Sequence, residues 1–203
     1  MRKTDKQQAA INYFQKRSLA DIVFMKGKET IPRSSYYCLT FIMWLADLLF
    51  SHAARNFSTL GLRPGQTVID YGCGPGRYIQ MASFAVGKKG KVVAVDIHPL
   101  AMEQVKRTVK RHALHNVQTV LADHYRTQLS NGIADVIYAL EMFHMIERPH
   151  ELLKEFSRLI KDHGTIIIED GHQARTETVR KIEDSGVLYI ESHTKAHVKC
   201  RKL

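Results

Sequence analysis

Four carboxylates and a glycine turn hold the chemistry that this sequence can offer. The stretch Val68-Ile69-Asp70-Tyr71-Gly72-Cys73-Gly74-Pro75-Gly76-Arg77 runs from an apolar, β-branched segment to an acid and then through three alternating glycines. Glycines at such a turn let the backbone bend tightly and approach a ligand closely, because no Cβ stands in the way. The third glycine comes one position early for a dinucleotide fingerprint, giving GxGxG rather than GxGxxG. Asp70 also stands immediately before the turn, where a diphosphate would meet its negative charge. A ligand bearing an ammonium or a sulfonium is attracted there instead.

Asp96 follows Gly76 by twenty residues and ends the apolar run Val92-Val93-Ala94-Val95. From that position an acid reaches ribose hydroxyls in nucleotide-binding α/β folds, and a carboxylate can accept from both at once. The competing role is a cap for the helix that Pro99 opens. Further on, Leu140-Glu141-Met142-Phe143-His144 follows a fourth apolar segment, at the end of a strand where open α/β sheets bind ligands. Glu141 and His144 are three residues apart, so one helical turn would give them a shared face. A carboxylate beside the imidazole would raise its pKa, and the pair could orient a substrate and take its proton. Packing at a helix start is the plainer role for His144. His172 is a second candidate base.

These motifs together resemble the class I S-adenosylmethionine-dependent methyltransferases. The first family motif is Val68 to Gly76, the second Val92 to Asp96, the third Ala122-Asp123, and the fourth Asp135 to Glu141. Gly164 to Glu169 is similar to the family's fifth strand. The resemblance runs from about residue 56 to the C-terminus, nearest the small branch that includes the ubiquinone and menaquinone C-methyltransferases. It implies S-adenosylmethionine as cofactor, held by Asp70, Gly72, Cys73, Gly74, Asp96, Ile97, Asp123, His124 and Glu141. In that reading Asp70 takes the methionine ammonium and Asp96 the ribose. Ile97 packs on the adenine, Asp123 accepts from its amino group, and the His124 N–H faces the ring. Glu141 and His144 are the implied catalytic pair. No Asn/Asp-Pro-Pro-Tyr or Pro-Cys follows the fourth strand, which disfavours the methyl transfers to adenine, glutamine or cytosine that use those motifs.

The elements that must position these residues alternate. A first strand is expected after the turn that ends at Gln66, running to Asp70, and further strands over 91–95, 117–121, 134–140 and 165–168, with helices over 77–86, 99–112, from 149, and 176–184. Segments 187–190 and 196–202 read as a terminal hairpin. This alternation means a doubly wound, mostly parallel sheet. The resemblance adds a Rossmann-like, seven-stranded form with an antiparallel last strand. Residues 1–55 are expected to be a helical cover of the acceptor site, and 56–203 the binding domain. Residues 4–20 carry an amphipathic pattern. The run from Tyr36 to Phe50 is the most apolar in the chain, but it is short for a membrane span and Asp47 interrupts it. Core helix, lid and lipid-touching helix compete for it, and Tyr36 and Tyr37 line a lid or belong to the core.

The chain has 203 residues and a net charge of +10, with its cations spread along the sequence. Such a surface favours anionic partners and leaves nucleic acid open, although a solvated basic face explains it as well. Three scattered cysteines show no disulfide framework and no metal-ligand spacing. Met1 to Arg17 is polar, so a cytoplasmic protein without a secretory leader is expected. The leading reading is methyl transfer to a small or medium-sized acceptor. An RNA or protein methyltransferase and a non-catalytic S-adenosylmethionine-binding module are the alternatives.

Overall fold

The computed structural model describes Tyr36, Thr40 and residues 52–203. Seven strands form one sheet: β1 (Thr67–Tyr71), β2 (Lys91–Asp96), β3 (Val117–Leu121), β4 (Ala134–Ala139), β5 (Ile160–Glu169), β6 (Leu188–His193) and β7 (His197–Lys202). Their order is β3-β2-β1-β4-β5-β7-β6. The first five are parallel, and β7 lies antiparallel between β5 and β6. The described helices are α1 (His52–Ser58), α2 (Ile79–Val86), α3 (Pro99–Arg111), α4 (Pro149–Leu159) and α5 (Arg175–Glu183).

The central strands are buried on both sides, which is why they read as continuous apolar runs. Val68, Val92, Ala94, Val136, Tyr138 and Ile167 face α1, α2 and α3. Ile69, Tyr71, Val93, Ile137, Ile166 and Ile168 face α4 and α5. Each helix answers with one apolar stripe. In α2, Ile79, Ala82, Ser83 and Val86 are buried, and in α4 Leu152, Leu153, Phe156 and Leu159 are. Pro99 and Pro149 open α3 and α4, where a missing N–H costs nothing.

Several boundaries move from those expected. Helix α2 starts at Ile79, two residues late, because Gly76 to Tyr78 still belong to the turn. Strand β5 begins at Ile160, directly after α4, and pairs there with Ala134 across an irregular register. Strand β6 extends to His193 through a register shift between Ile190 and Ser192. The amphipathic pattern at 4–20 and most of the apolar run at 36–50 lie outside the described residues. Among the described residues no helix is long and apolar enough to cross a membrane.

In this order the chain leaves β1 toward β2 on one side, while β4 lies on the other. The crevice between the ends of β1 and β4 is therefore the switch point at which open α/β sheets take ligands.

Candidate active site

A cavity enclosing about 160 Å³ sits at that crevice. The glycine turn after β1 forms one wall, with Gly72, Cys73 and Gly74 lining it. Gly72 has φ +77°, and a Cβ there would meet Met142 Cγ at 2.8 Å, so only glycine fits both the turn and its neighbour. Asp96 closes the turn from the end of β2. Its Oδ2 accepts from the Gly74 N–H at 2.9 Å and its Oδ1 from the His98 N–H at 2.8 Å. Burial pushes its pKa upward, and the two N–H donors and His98 hold it back. Asp96 is not the cap of α3. His98 is, with Nδ1 accepting from the Leu100 N–H at 3.2 Å.

Asp70 points into the layer of α2 and α3 beneath the turn. It is only 2% exposed, and its Oδ2 has no hydrogen-bond partner. Burial raises its pKa to about 8; the Tyr138 hydroxyl works against this and the Asp96 charge adds to it. Asp70 does not belong to the cavity lining, although Tyr71 and Gly72 directly after it do.

The far wall follows β4. Glu141 takes the left-handed backbone at φ +59° and donates its N–H to Glu169 Oε2 at 2.8 Å. Its carboxylate is held by Arg77 Nη1, at 2.6 Å to Oε1 and 2.5 Å to Oε2, and by the Tyr78 hydroxyl at 3.2 Å. Glu169 also accepts from Asn56 Nδ2 at 3.1 Å, tying α1 to the end of β5. Burial and the adjacent Glu141 charge push the Glu169 pKa to about 7.

The remaining expected residues divide. Ile97 and His124 line the cavity, the latter at φ +51°. The loop carrying His124 is fixed from below, since the Tyr71 hydroxyl donates to the Tyr125 carbonyl at 2.7 Å. Asp123 is exposed beside the cavity, not in its lining, and its backbone exchanges hydrogen bonds with Arg126. His144 also lies outside the lining. The expected pairing of His144 with Glu141 is not formed, because Glu141 is engaged with Arg77 while the His144 ring stands edge-on to His172 at 5.0 Å. The expected direction of its pKa is likewise reversed. Burial, helped by His172 and Lys181, pulls it down to about 4.

The sequence reading passed over Arg77 and Tyr78 as site residues. Arg77 alone had a signal, a cation placed directly after the last glycine of the turn. Tyr36 stacks on His98 at 4.5 Å between ring centroids and lines the cavity with Thr40. Larger clefts, such as one of about 810 Å³ beside Asp135, Lys161 and Arg201, open at the opposite ends of the strands. There the Lys161–Asp135 and Arg201–Glu191 pairs already satisfy each other.

Comparison with known proteins gives a consistent account. Residues 62–199 match the family model described as a methyltransferase domain. The crystal structure of a SAM dependent methyltransferase from Aquifex aeolicus superposes with a TM-score of 0.69 at 23% identity, over 78% of this chain and 93% of that one. At that identity the likeness shows the fold. A protein-L-isoaspartate O-methyltransferase of Methanococcus maripaludis is 35% identical over 79 residues, 39% of this chain and 37% of the relative. An uncharacterized 37.1 kDa protein in transposon TN4556 of Streptomyces fradiae is 26% identical over 132 residues, 63% of this chain and 38% of the relative. The chain thus spans well under half the length of these two curated relatives.

Proposed function

The chain belongs to the methyltransferase domain family, whose cofactor is S-adenosylmethionine, and on that premise we propose that it transfers the donor's methyl group to a small or medium-sized acceptor. The observation that carries this reading is the cavity at the ends of β1, β2 and β4, where the glycine turn, Asp96 and Glu141 converge. The residues present fit the donor. Asp70 keeps a buried carboxyl oxygen without a hydrogen-bond partner, and although burial favours its protonated form, a cationic ligand nearby would hold it as the carboxylate. Asp96 accepts from the Gly74 and His98 N–H groups, and a carboxylate has about four acceptor positions, so capacity remains for a ribose.

When bound, the donor supplies a methyl group already activated on a sulfonium. The protein's share is alignment and the exclusion of water. Asp96 holds the ribose, Ile97 and His124 flank the ring, and Asp123 takes the adenine amino group from the rim. Glu141 faces the acceptor. His144 is the candidate to receive a proton from a neutral acceptor, with His172 beside it. Residues 1–55 cover the acceptor, a role supported by Tyr36 and Thr40 in the cavity wall. The motifs favour the small quinone C-methyltransferase branch within the family, in a cytoplasmic setting.

The test is direct. Methyl-labelled S-adenosylmethionine and an unbiased acceptor panel are incubated with the protein, and S-adenosylhomocysteine release is measured. Acceptor-dependent release supports the reading, whereas failure to bind either donor or product in calorimetry ends it. Donor binding without turnover on any acceptor would mean a binding module. One observation favours a macromolecular acceptor as second reading: Lys106, Lys110 and Arg111 are exposed along the outer face of α3. A steep fall of RNA affinity with salt would support it.

A further inference from the structure

Arg77 is the one permanently charged cation among the described residues lining the cavity. Its side chain is 10% exposed and its carboxylate partner Glu141 is 31% exposed. A guanidinium this deep must be paired, because removing one member of a buried pair leaves an uncompensated charge. Glu141 meets that need from a strained backbone, at φ +59°, and approaches through a single nitrogen of Arg77, Nη1. The parallel two-nitrogen fork that guanidinium offers a carboxylate is the stronger geometry.

This deepens the donor-binding reading and rests on it. The amino-acid end of S-adenosylmethionine carries an ammonium and a carboxylate. The acids Asp70 and Asp96 lie under and beside the turn and suit the ammonium and the ribose. A carboxylate at the same turn has Arg77 as its natural partner. We propose that Arg77 is the receptor for the donor's carboxylate and that Glu141 occupies it only until the donor arrives.

The exchange replaces one carboxylate by another, so Arg77 is never left alone in the wall. Glu141 stays anchored through its N–H to Glu169. Freed of its counter-charge, it then presents an anionic carboxylate to the acceptor side. The site acquires that charge only after the donor is seated, which orders binding as donor first, acceptor second. A cationic or proton-donating acceptor group matches it.

Calorimetric titration tests this without turnover. S-adenosylmethionine, its decarboxylated form and S-adenosylhomocysteine are titrated into wild type, Arg77→Gln, Arg77→Lys and Glu141→Gln, each checked for a cooperative thermal melt. Wild type is expected to prefer S-adenosylmethionine over the decarboxylated form by about 10–100-fold, the worth of a hydrogen-bonded charge. Arg77→Gln should lose that preference and Arg77→Lys keep part of it. Glu141→Gln should bind S-adenosylmethionine several-fold tighter, since the competing charge is gone, and bind the decarboxylated form as before. A preference that survives in Arg77→Gln, or a Glu141→Gln variant with unchanged or weaker donor affinity, overturns the exchange. Wild type that binds neither donor nor S-adenosylhomocysteine would instead defeat the methyltransferase reading itself.

Discussion

The Glu141 N–H donates to the Glu169 carboxylate at 2.8 Å, joining the end of β4 to the end of β5, the neighbour on the side away from the switch point. That bond holds Glu141 in a left-handed conformation that costs on the order of 1–3 kcal/mol for a residue other than glycine. Glu169 has a folded-state pKa near 7, above its ordinary value of 4.5. The folded protein therefore binds this proton more tightly than the unfolded chain does, and the stability it contributes is lost as pH rises from about 4.5 to about 7. Glu169→Gln keeps an acceptor for Glu141 and removes the titration. Denaturant melts at pH 5 and pH 7.5 should show wild type losing more stability than the variant over this interval. Parallel losses would remove Glu169 as the source.

Asp70 follows the same sign over a wider window. Its pKa rises from 3.8 to about 8 on folding, so its burial weighs against the fold increasingly as pH climbs through that range. Asp70→Asn should be more stable than wild type at pH 8 by at least about 1 kcal/mol, with the gap closing near pH 4. The same variant should bind S-adenosylmethionine more weakly. Stability gained alongside affinity lost would mark a residue kept for its ligand; a variant less stable than wild type at pH 8 would refute the burial penalty.

Gly171 follows β5 at φ +62°, and a Cβ on it would lie 2.1 Å from His144 Nδ1. Gly171→Ala is expected to cost about 2–4 kcal/mol, combining overpacking with left-handed strain. Adding His144→Ala should recover the overpacking share and leave the backbone share. Full additivity of the two losses would show that the ring and the glycine do not share the space.

His144 as proton acceptor makes a distinct kinetic prediction. With its pKa near 4, the imidazole is neutral well below pH 6, so the acid limb of single-turnover transfer should fall near 4 rather than 6.5. His144→Asn should lower the rate by about 10²–10⁴-fold while leaving donor affinity intact. A wild-type rate in the variant would reduce His144 to a packing residue and move attention to His172.

Asp96→Ala should weaken donor binding by roughly 1.5–3 kcal/mol or more, since each ribose hydroxyl loses a charged acceptor. Calorimetry measures it, and unchanged affinity would sink the ribose assignment. A modest fall in melting temperature is expected too, because the Gly74 and His98 N–H groups lose their partner.

The sheet was readable because each buried strand announces itself as an apolar run that ends in a polar or glycine residue. Val68 to Tyr71 and Val92 to Val95 needed nothing more. The start of β5 was not readable, since Lys161, Asp162 and His163 look like a loop and stand where the β4 register jumps from Ile160 to Thr165. At the site, Asp96 and Glu141 were visible from spacing to their strands. The partner of Glu141 was not, because Arg77 is 64 residues away and local periodicity favoured His144. Burial decided the rest: whether His144 is charged depends on its burial and on His172, after β5, and Lys181, in α5, which no local pattern brings near.

The Asp96 carboxylate grips the glycine turn and the start of α3 through bonds within the chain itself. The conformational entropy of that turn is therefore lost when the chain folds and is not charged again at binding. A donor meets a turn already set, so the rearrangement at capture falls on the Glu141 side chain, and the heat-capacity change should be set by the apolar surface buried, with little added for ordering of the turn.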